Sequence, residues 1–245
     1  MSKVQNVFLI GAKSLGAYGG YETFVYKLTE YHQNNPNIKY HVACKANGDG
    51  YIIPFKGAIL EIDKTAEIVL NGTIHFGINH LKGSKAETYI RLAENSKWIC
   101  KEDVLLFFGT FIDVHQDALL ESEFFSANTG SVIVVGKHIS LGHDVMMGRN
   151  IVIYDSDFHS IPGPDGNPIN FSKDVIIEDH VWLTNNVTVL KGVTVGKDSL
   201  ISAMTLIRKD IPEKSLVAGI PGKVLKDNAC WSREYIHDYE KQFWK

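Results

Sequence analysis

The sequence predicts a mainly β chain whose centre is a parallel β-solenoid, and three observations carry that expectation. Aliphatic residues recur at every sixth place: Val135, Leu141, Met147 and Ile153, then Ile177, Leu183, Val189, Val195, Ile201 and Ile207. A second column, four places on, holds Ile139, Val145, Ile151, Val181, Val187, Val193, Ser199, Thr205 and Ile211, small or branched throughout. Turn residues punctuate both columns: Gly136, Gly142, Gly148 and Gly196 follow column residues directly, and Asn150, Asp179, Asn185, Asn186 and Asp198 fall at corner positions. Neither a helix nor a half-buried strand repeats at six; a solenoid of short flat strands and tight corners does. No rung can bury its inner face alone, so the stack forms one cooperative core.

The elements follow in order. Residues 1–50, with "NVFLIGAKSLGAYGGYETFVYKLTEY", read as strand, Gly-rich loop, helix and strand, a small β-α-β segment. Residues 51–130 hold strand-like runs such as "AEIVLNGTIHFG" and "VLLFFGTFIDV" without the six-residue beat, which predicts wider, irregular β-coils. Their aromatics Trp98, Phe107, Phe108, Phe111, Phe124 and Phe125 suit either the core or a sugar platform. The regular repeat occupies 131–226 and is broken by a loop over 155–173. There Ile153 and Ile177 lie 24 residues apart, a multiple of six, but His159, Asp165 and Phe171 stand where aliphatic residues are due. Pro162, Pro164 and Pro168 stiffen this expelled loop, since proline asks for no ladder hydrogen bond. The tail 227–245, "NACWSREYIHDYEKQFWK" within it, predicts a C-terminal helix packed on the last coil.

Composition narrows the function classes. A chain with 44% hydrophobic and 22% charged residues folds around a sizeable core, and a net charge of −3 without basic blocks argues against nucleic acid as partner. "NVFLIG" is too short to span a bilayer and lacks the flanks of a signal peptide, which points to the cytoplasm. Cys44, Cys100 and Cys230 fit no paired motif and read as free thiols in a reducing compartment.

The lines "VGKHISLGHDVMMGRNIVI" and "IIEDHVWLTNNVTVLKGVTVGKDSLISAMTLIRKDIPEKSLVAGIPGKVLK" resemble the hexapeptide-repeat acyltransferases, and the closing "SLVAGIPGKVLK" is similar to that family's usual exit from the repeat. The resemblance implies a left-handed parallel β-helix, acetyl-CoA as co-substrate and no metal. It also implies a homotrimer with active sites between subunits, and O-acetylation of a sugar of a capsular or other surface polysaccharide or its precursor. Residues 1–50 resemble the opening of a bacterial rhamnosyl-type glycosyltransferase, notably in "GAYGGYETFVYKLTEY". One β-α-β unit leaves no room for a nucleotide-sugar site, so a remnant or docking module without transferase chemistry is the expectation, with contact to other capsule-synthesis enzymes at the membrane.

Acetyl transfer from a thioester to an alcohol needs a base at the hydroxyl, a donor at the oxyanion and cations along the coenzyme. By its place in the loop, His159 matches the family's catalytic histidine. Asp157, or else Asp155, is close enough in sequence to orient the imidazole. Asn128 stands at the family's position for an asparagine beside the acceptor and oxyanion. The carboxylate that sugar-specific members keep further along is Val135 or Gly136 here. Trp182 matches a tryptophan beside the thioester arm, and Asn185 and Ala203 match positions along the pantetheine. Lys209 and Lys226 match phosphate-contacting positions, with Arg208 adjoining the first.

Three rivals follow from the same residues. One is N-acetylation of a nucleotide-linked amino sugar, and another a non-catalytic scaffold. The third is a zinc carbonic anhydrase on the same fold, suggested by His138 and His143, whose third histidine would fall near Glu102.

Overall fold

The computed structural model describes residues 40–41, 45–47, 51–54, 58–63, 65–78, 87–234 and 236. Among them the chain winds through eight coils, each with three flat sides. The first supplies β1 (Tyr40–His41), β2 (Lys45–Asn47) and β3 (Tyr51–Pro54), the second β4 (Ala58–Ile62), β5 (Glu67–Leu70) and β6 (Thr73–Ile78). The third supplies β7 (Thr88–Leu92), β8 (Lys97–Cys100) and β9 (Val104–Phe107), the fourth β10 (Phe111–Val114), β11 (Leu119–Ser122) and β12 (Phe125–Ala127). Next come β13 (Val132–Val135), β14 (His138–Leu141) and β15 (Val145–Met147), then β16 (Val152–Tyr154), β17 (Val175–Ile177) and β18 (Trp182–Leu183). The seventh coil holds β19 (Thr188–Val189), β20 (Thr194–Val195) and β21 (Leu200–Ile201). The eighth holds β22 (Leu206–Ile207), a bridge of Ile211 to Val195, and β23 (Leu216–Ala218), after which β24 (Lys223–Lys226) folds back.

Each strand pairs in parallel with its counterpart one coil away, so three sheets form the three walls of a left-handed prism. The first wall starts at β1 and ends at β22, and the second runs from β2 to β20. The third runs from β3 to β24, whose pairing with β23 is the antiparallel exception. Register places like on like: Val189 lies between Ile153 and Ile207. Both predicted columns face inward along their whole length, and the least buried member, Ile211, is 7% exposed. Burial of one such aliphatic side chain stabilises by about 1.5–3 kcal/mol. The inward hydroxyls are matched: Ser199 Oγ donates to Pro212 O (3.0 Å) and accepts from Ser215 N (3.1 Å), and Thr205 Oγ1 donates to Ser202 O (2.7 Å).

Corner chemistry explains the Gly, Asn and Asp punctuation. Asn150, Asn186 and Asp198 adopt left-handed backbone angles, which a short polar side chain tolerates. Asp179 Oδ1 accepts from His143 N and Asn185 Oδ1 from Arg149 N, both at 2.8 Å, so each braces the coil before it. A Cβ on Gly148 would stand 1.5 Å from Thr184 O, so no other residue fits under that corner.

Three expectations need adjustment. The irregular coils expected over 51–130 join the same three walls, and the walls reach back to β1 and β2 within the stretch read as β-α-β; the remainder of that segment lies outside the described residues. The beat is hidden there because the coils are longer: Tyr89 pairs with Phe111 and Phe111 with Val132, steps of 22 and 21 residues, against 18 from Thr188 to Leu206. Among the aromatics, Trp98 and Phe125 are fully buried and Phe108 nearly so, whereas Phe107, Phe111 and Phe124 face outward half-buried. Trp98 tolerates the core because its indole N–H reaches Ser122 Oγ at 3.0 Å.

The third concerns the tail. Residues 227–234 are not helical, and the rest of the predicted helix lies outside the described residues, Ile236 apart. The tail is held by backbone and side-chain anchors along the corner between the second and third walls. Ala229 N donates to Lys214 O (2.7 Å), and the Trp231 ring stacks on His180 with centroids 4.3 Å apart. Arg233 bonds to Asp144 and lies over Phe124. Such contacts to successive coils hold the backbone away from helical angles.

Candidate active site

The loop leaves the prism where the first wall turns into the second, and its root is set by one carboxylate. Asp155 is fully buried and accepts from three consecutive amides of the preceding coil: Gly136 N (2.6 Å), Lys137 N (2.7 Å) and His138 N (2.6 Å). Charge-assisted bonds of this kind are among the strong ones. The neck is closed by Lys173 N donating to Asp155 O (2.9 Å) and by the Ser172 and Ser156 hydroxyls at 2.8 Å.

Beyond the neck the loop is a hairpin. Ile169 N donates to Ile161 O (2.9 Å), Pro162 bridges Pro168, and Gly163 N donates to Asn167 O (2.7 Å) around the tip. The prolines thus sit on a free edge that needs no donor. The outgoing arm carries a bulge at residues 157–160. His159 N donates to Asp157 O (2.6 Å) across Phe158, whose φ is +57°. That is a three-residue turn in the rare, strained sense, and a bulky residue so placed costs about 1–3 kcal/mol unless its surroundings hold it. The Phe158 ring rests on His115 (centroids 4.6 Å apart) and edge-on to Tyr154 (6.2 Å). A Cβ on Gly136 would lie 2.7 Å from Ser156 Cβ and 3.1 Å from the Phe158 ring. Here lies a physical reason for a glycine at Gly136.

The bulge pushes His159 into solvent, with its ring free of hydrogen bonds to any described residue. Neither aspartate touches that ring. Asp155 serves the loop root, and Asp157 Oδ2 accepts from Lys191 Nζ (2.5 Å) and Asn170 Nδ2 (2.7 Å), which hold its carboxyl below the usual range. In place of the expected imidazole–carboxylate pair, Asp157 binds Lys191 and Asn170, and Asn170 in turn bonds the backbone at His159 O and Ile161 N. Lys191 is the residue that periodicity reasoning passed over. It occupies the corner after β19, in line with Asp155 one coil earlier and Lys209 one coil later.

The other predicted residues fall on two edges of the prism. Arg208 and Lys209 are exposed at the first-to-second corner, below the loop. Asn128, Asn185 and Ala203 line the third-to-first corner, after β12, β18 and β21. Asn128 Oδ1 accepts from Thr129 N (2.8 Å), which leaves its NH2 as a donor. Trp182 stands half-buried on the third wall, 5.7 Å from Trp231, and Lys226 is exposed on β24 of the same wall. A single chain thus keeps His159, Arg208 and Lys209 apart from Asn128, Asn185 and Ala203.

The histidines weighed for zinc are engaged separately. His138 Nε2 lies 3.0 Å from Glu121 and His143 Nδ1 2.7 Å from Glu102. Among the described residues, Glu102, Glu123 and His143 have ligand-type atoms within 4.8 Å of one another, although Glu102 also accepts from Phe124 N and Glu123 pairs with Lys101. No helix among the described residues is long and apolar enough to cross a membrane.

Prism, exit segment and histidine hairpin together define a hexapeptide-repeat acyltransferase fold, and comparison with known proteins narrows it. The chain belongs to the hexapeptide-repeat sugar O-acetyltransferase family, as its likeness to the polysialic acid O-acetyltransferase of Neisseria meningitidis shows: 34% identity over 152 residues, 60% of this chain and 71% of that protein. The polysialic acid O-acetyltransferase of Escherichia coli O1:K1 is 30% identical over 146 residues, 59% of this chain and 45% of that protein, so the match spans less than half of that relative. Among solved structures, the polysialic acid O-acetyltransferase OatWY superposes with a TM-score of 0.58 at 26% identity, over 83% of this chain and 98% of that one. Residues 4–90 match the model of a domain of unknown function, DUF1972, which takes in the N-terminal segment and the early coils.

Proposed function

We propose that this chain is an O-acetyltransferase that moves acetyl from acetyl-CoA to a hydroxyl of a surface-polysaccharide sugar, with polysialic acid the first acceptor to test. The observation that carries the reading is His159, solvent-facing on a stiff hairpin above a corner that also bears Arg208 and Lys209. In the proposed step the neutral imidazole takes the acceptor's proton as its oxygen attacks the thioester carbonyl. The Asn128 NH2 stabilises the tetrahedral oxyanion, and collapse expels the coenzyme thiolate. Trp182, Asn185 and Ala203 flank the pantetheine arm, while Arg208, Lys209 and Lys226 counter its phosphates.

Because those groups sit on different edges of one prism, a site that uses them all draws on two chains. A homotrimer with its grooves between subunits, within the cytoplasm and beside other capsule-synthesis enzymes, is the assembly we propose. The test is acetyl transfer from acetyl-CoA by wild type and His159→Ala, with polysialic acid, neutral oligosaccharides and a nucleotide-linked amino sugar as acceptors. Turnover on a hydroxyl acceptor is expected from wild type and a loss of roughly 100-fold or more from the variant, the usual scale for a general base. Wild-type turnover in His159→Ala, or transfer to the amine alone, overturns the reading.

A further inference from the structure

We infer that Lys191 and Asn170 are positioning residues for His159, forming with Asp157 a polar clasp that holds the bulge in the hairpin open; this rests on the proposed function above. Three observations meet at the clasp. Lys191 projects from the corner of the next coil with only 19% of its side chain exposed, and its ammonium donates to both arms of the loop, to Asp157 Oδ2 (2.5 Å) and Asn170 O (2.7 Å). Asn170 uses its whole amide: Nδ2 donates to Asp157 Oδ2 (2.7 Å) and His159 O (2.9 Å), and Oδ1 accepts from Ile161 N (2.7 Å). It therefore grips the outgoing arm on both sides of Ser160. Between the held residues Asp157 and His159 lies Phe158 with its left-handed φ, a conformation that relaxes unless both ends are fixed.

Apolar burial gives the hairpin little help, since Ile161, Ile169 and Phe171 are 52%, 65% and 69% exposed. The clasp is also tied to the wall through the backbone of β19, so the imidazole inherits its place from the rigid coil that carries Lys209 one turn on. The chemical role is indirect: neither Lys191 nor Asn170 touches the imidazole ring, and each acts through the backbone of residues 157–161.

The experiment compares wild type with Lys191→Met, Lys191→Arg and Asn170→Ala in the full-length protein. It reads kcat, KM for acetyl-CoA, thermal midpoint, and amide exchange at His159 and Ile161. Displacement of a reacting group by about 1 Å costs on the order of 100-fold. We therefore expect kcat to fall about tenfold or more in Lys191→Met and Asn170→Ala. KM for acetyl-CoA should stay within about twofold, exchange at the two amides should quicken, and Lys191→Arg should recover most of the loss. A smaller kcat loss in both variants overturns the inference. So does a loss matched by a rise in KM with exchange unchanged, which would make Lys191 a donor-binding residue. If wild type acetylates no acceptor, the functional reading fails and the exchange data alone decide the clasp: unchanged protection at His159 and Ile161 overturns it, lost protection upholds it.

Discussion

The walls of the prism and the hairpin that leaves them are held by opposite means. Inside the walls, order comes from repetition: Val189 is buried between Ile153 and Ile207, and every neighbour makes the same kind of contact. The hairpin exposes its apolar residues and is shaped by a handful of polar ones, Asp155 at the root, Ser156 and Ser172 at the neck, Asp157, Asn170 and Lys191 further out. A repeated apolar interior spreads its stability over many residues; a polar clasp concentrates geometry in a few. In the proposed reaction the chemistry is carried by the second kind of structure and anchored by the first.

That contrast can be broken at three depths. The largest effect belongs to the wall: Leu183→Ala empties a fully buried site, and a loss of about 2–5 kcal/mol is expected, seen as one cooperative shift in chemical denaturation. Two separate transitions would mean that the coils do not share a core. Next comes the root of the hairpin. Asp155→Ala strands three part-buried amides, each worth about 1–3 kcal/mol when left fully unmatched, and water entering at the neck should hold the total to roughly 2–3 kcal/mol. Amide exchange should quicken at Gly136, Lys137 and His138 and through the loop, while β21 and β22 keep their protection. Uniform loosening of all coils would erase the distinction.

The smallest effect lies on the wall's outer surface. His143 has a raised pKa, first through its hydrogen bond to Glu102. Its contribution is present in full below the ordinary histidine value, about 6.5, and disappears as pH rises through the higher folded value. In Glu102→Gln the His143 midpoint, followed by NMR, should fall toward the ordinary value. The change in stability between acidic and mildly alkaline pH should stay under about 1 kcal/mol for so exposed a pair. A larger change would show that surface pairs hold the wall as firmly as its interior does.

The same contrast explains what could be read from the sequence. The columns from Val135 to Ile211 were legible because an interior position repeats its demand once per side, and so were the corners at Asn150, Asn186 and Asp198, where a left-handed turn selects short polar residues. The span of the loop was legible as a failure of that beat. The clasp was not, because Asp157, Asn170 and Lys191 meet across 13 and 34 residues with no period to announce them. Following the corner column from Asp155 would have reached Lys191. Of the two carboxylates that sequence offers as partners for the ring, Asp157 is preferred over Asp155; burial and three amides claim Asp155, and Lys191 and Asn170 claim Asp157. The early coils were legible as wider β-coils but not by their beat, because their repeat runs to 22 and 21 residues and not 18.

The in-phase exit of the hairpin has a consequence for how such proteins diversify. Ile153 and Ile177 resume the ladder on adjoining walls as though nothing lay between them. Besides the neck residues Asp155 and Lys173, the scaffold holds the hairpin at Asp157 and Asn170 through Lys191. The tip beyond these anchors can be lengthened, shortened or exchanged as a cassette while the coils beneath stay as they are.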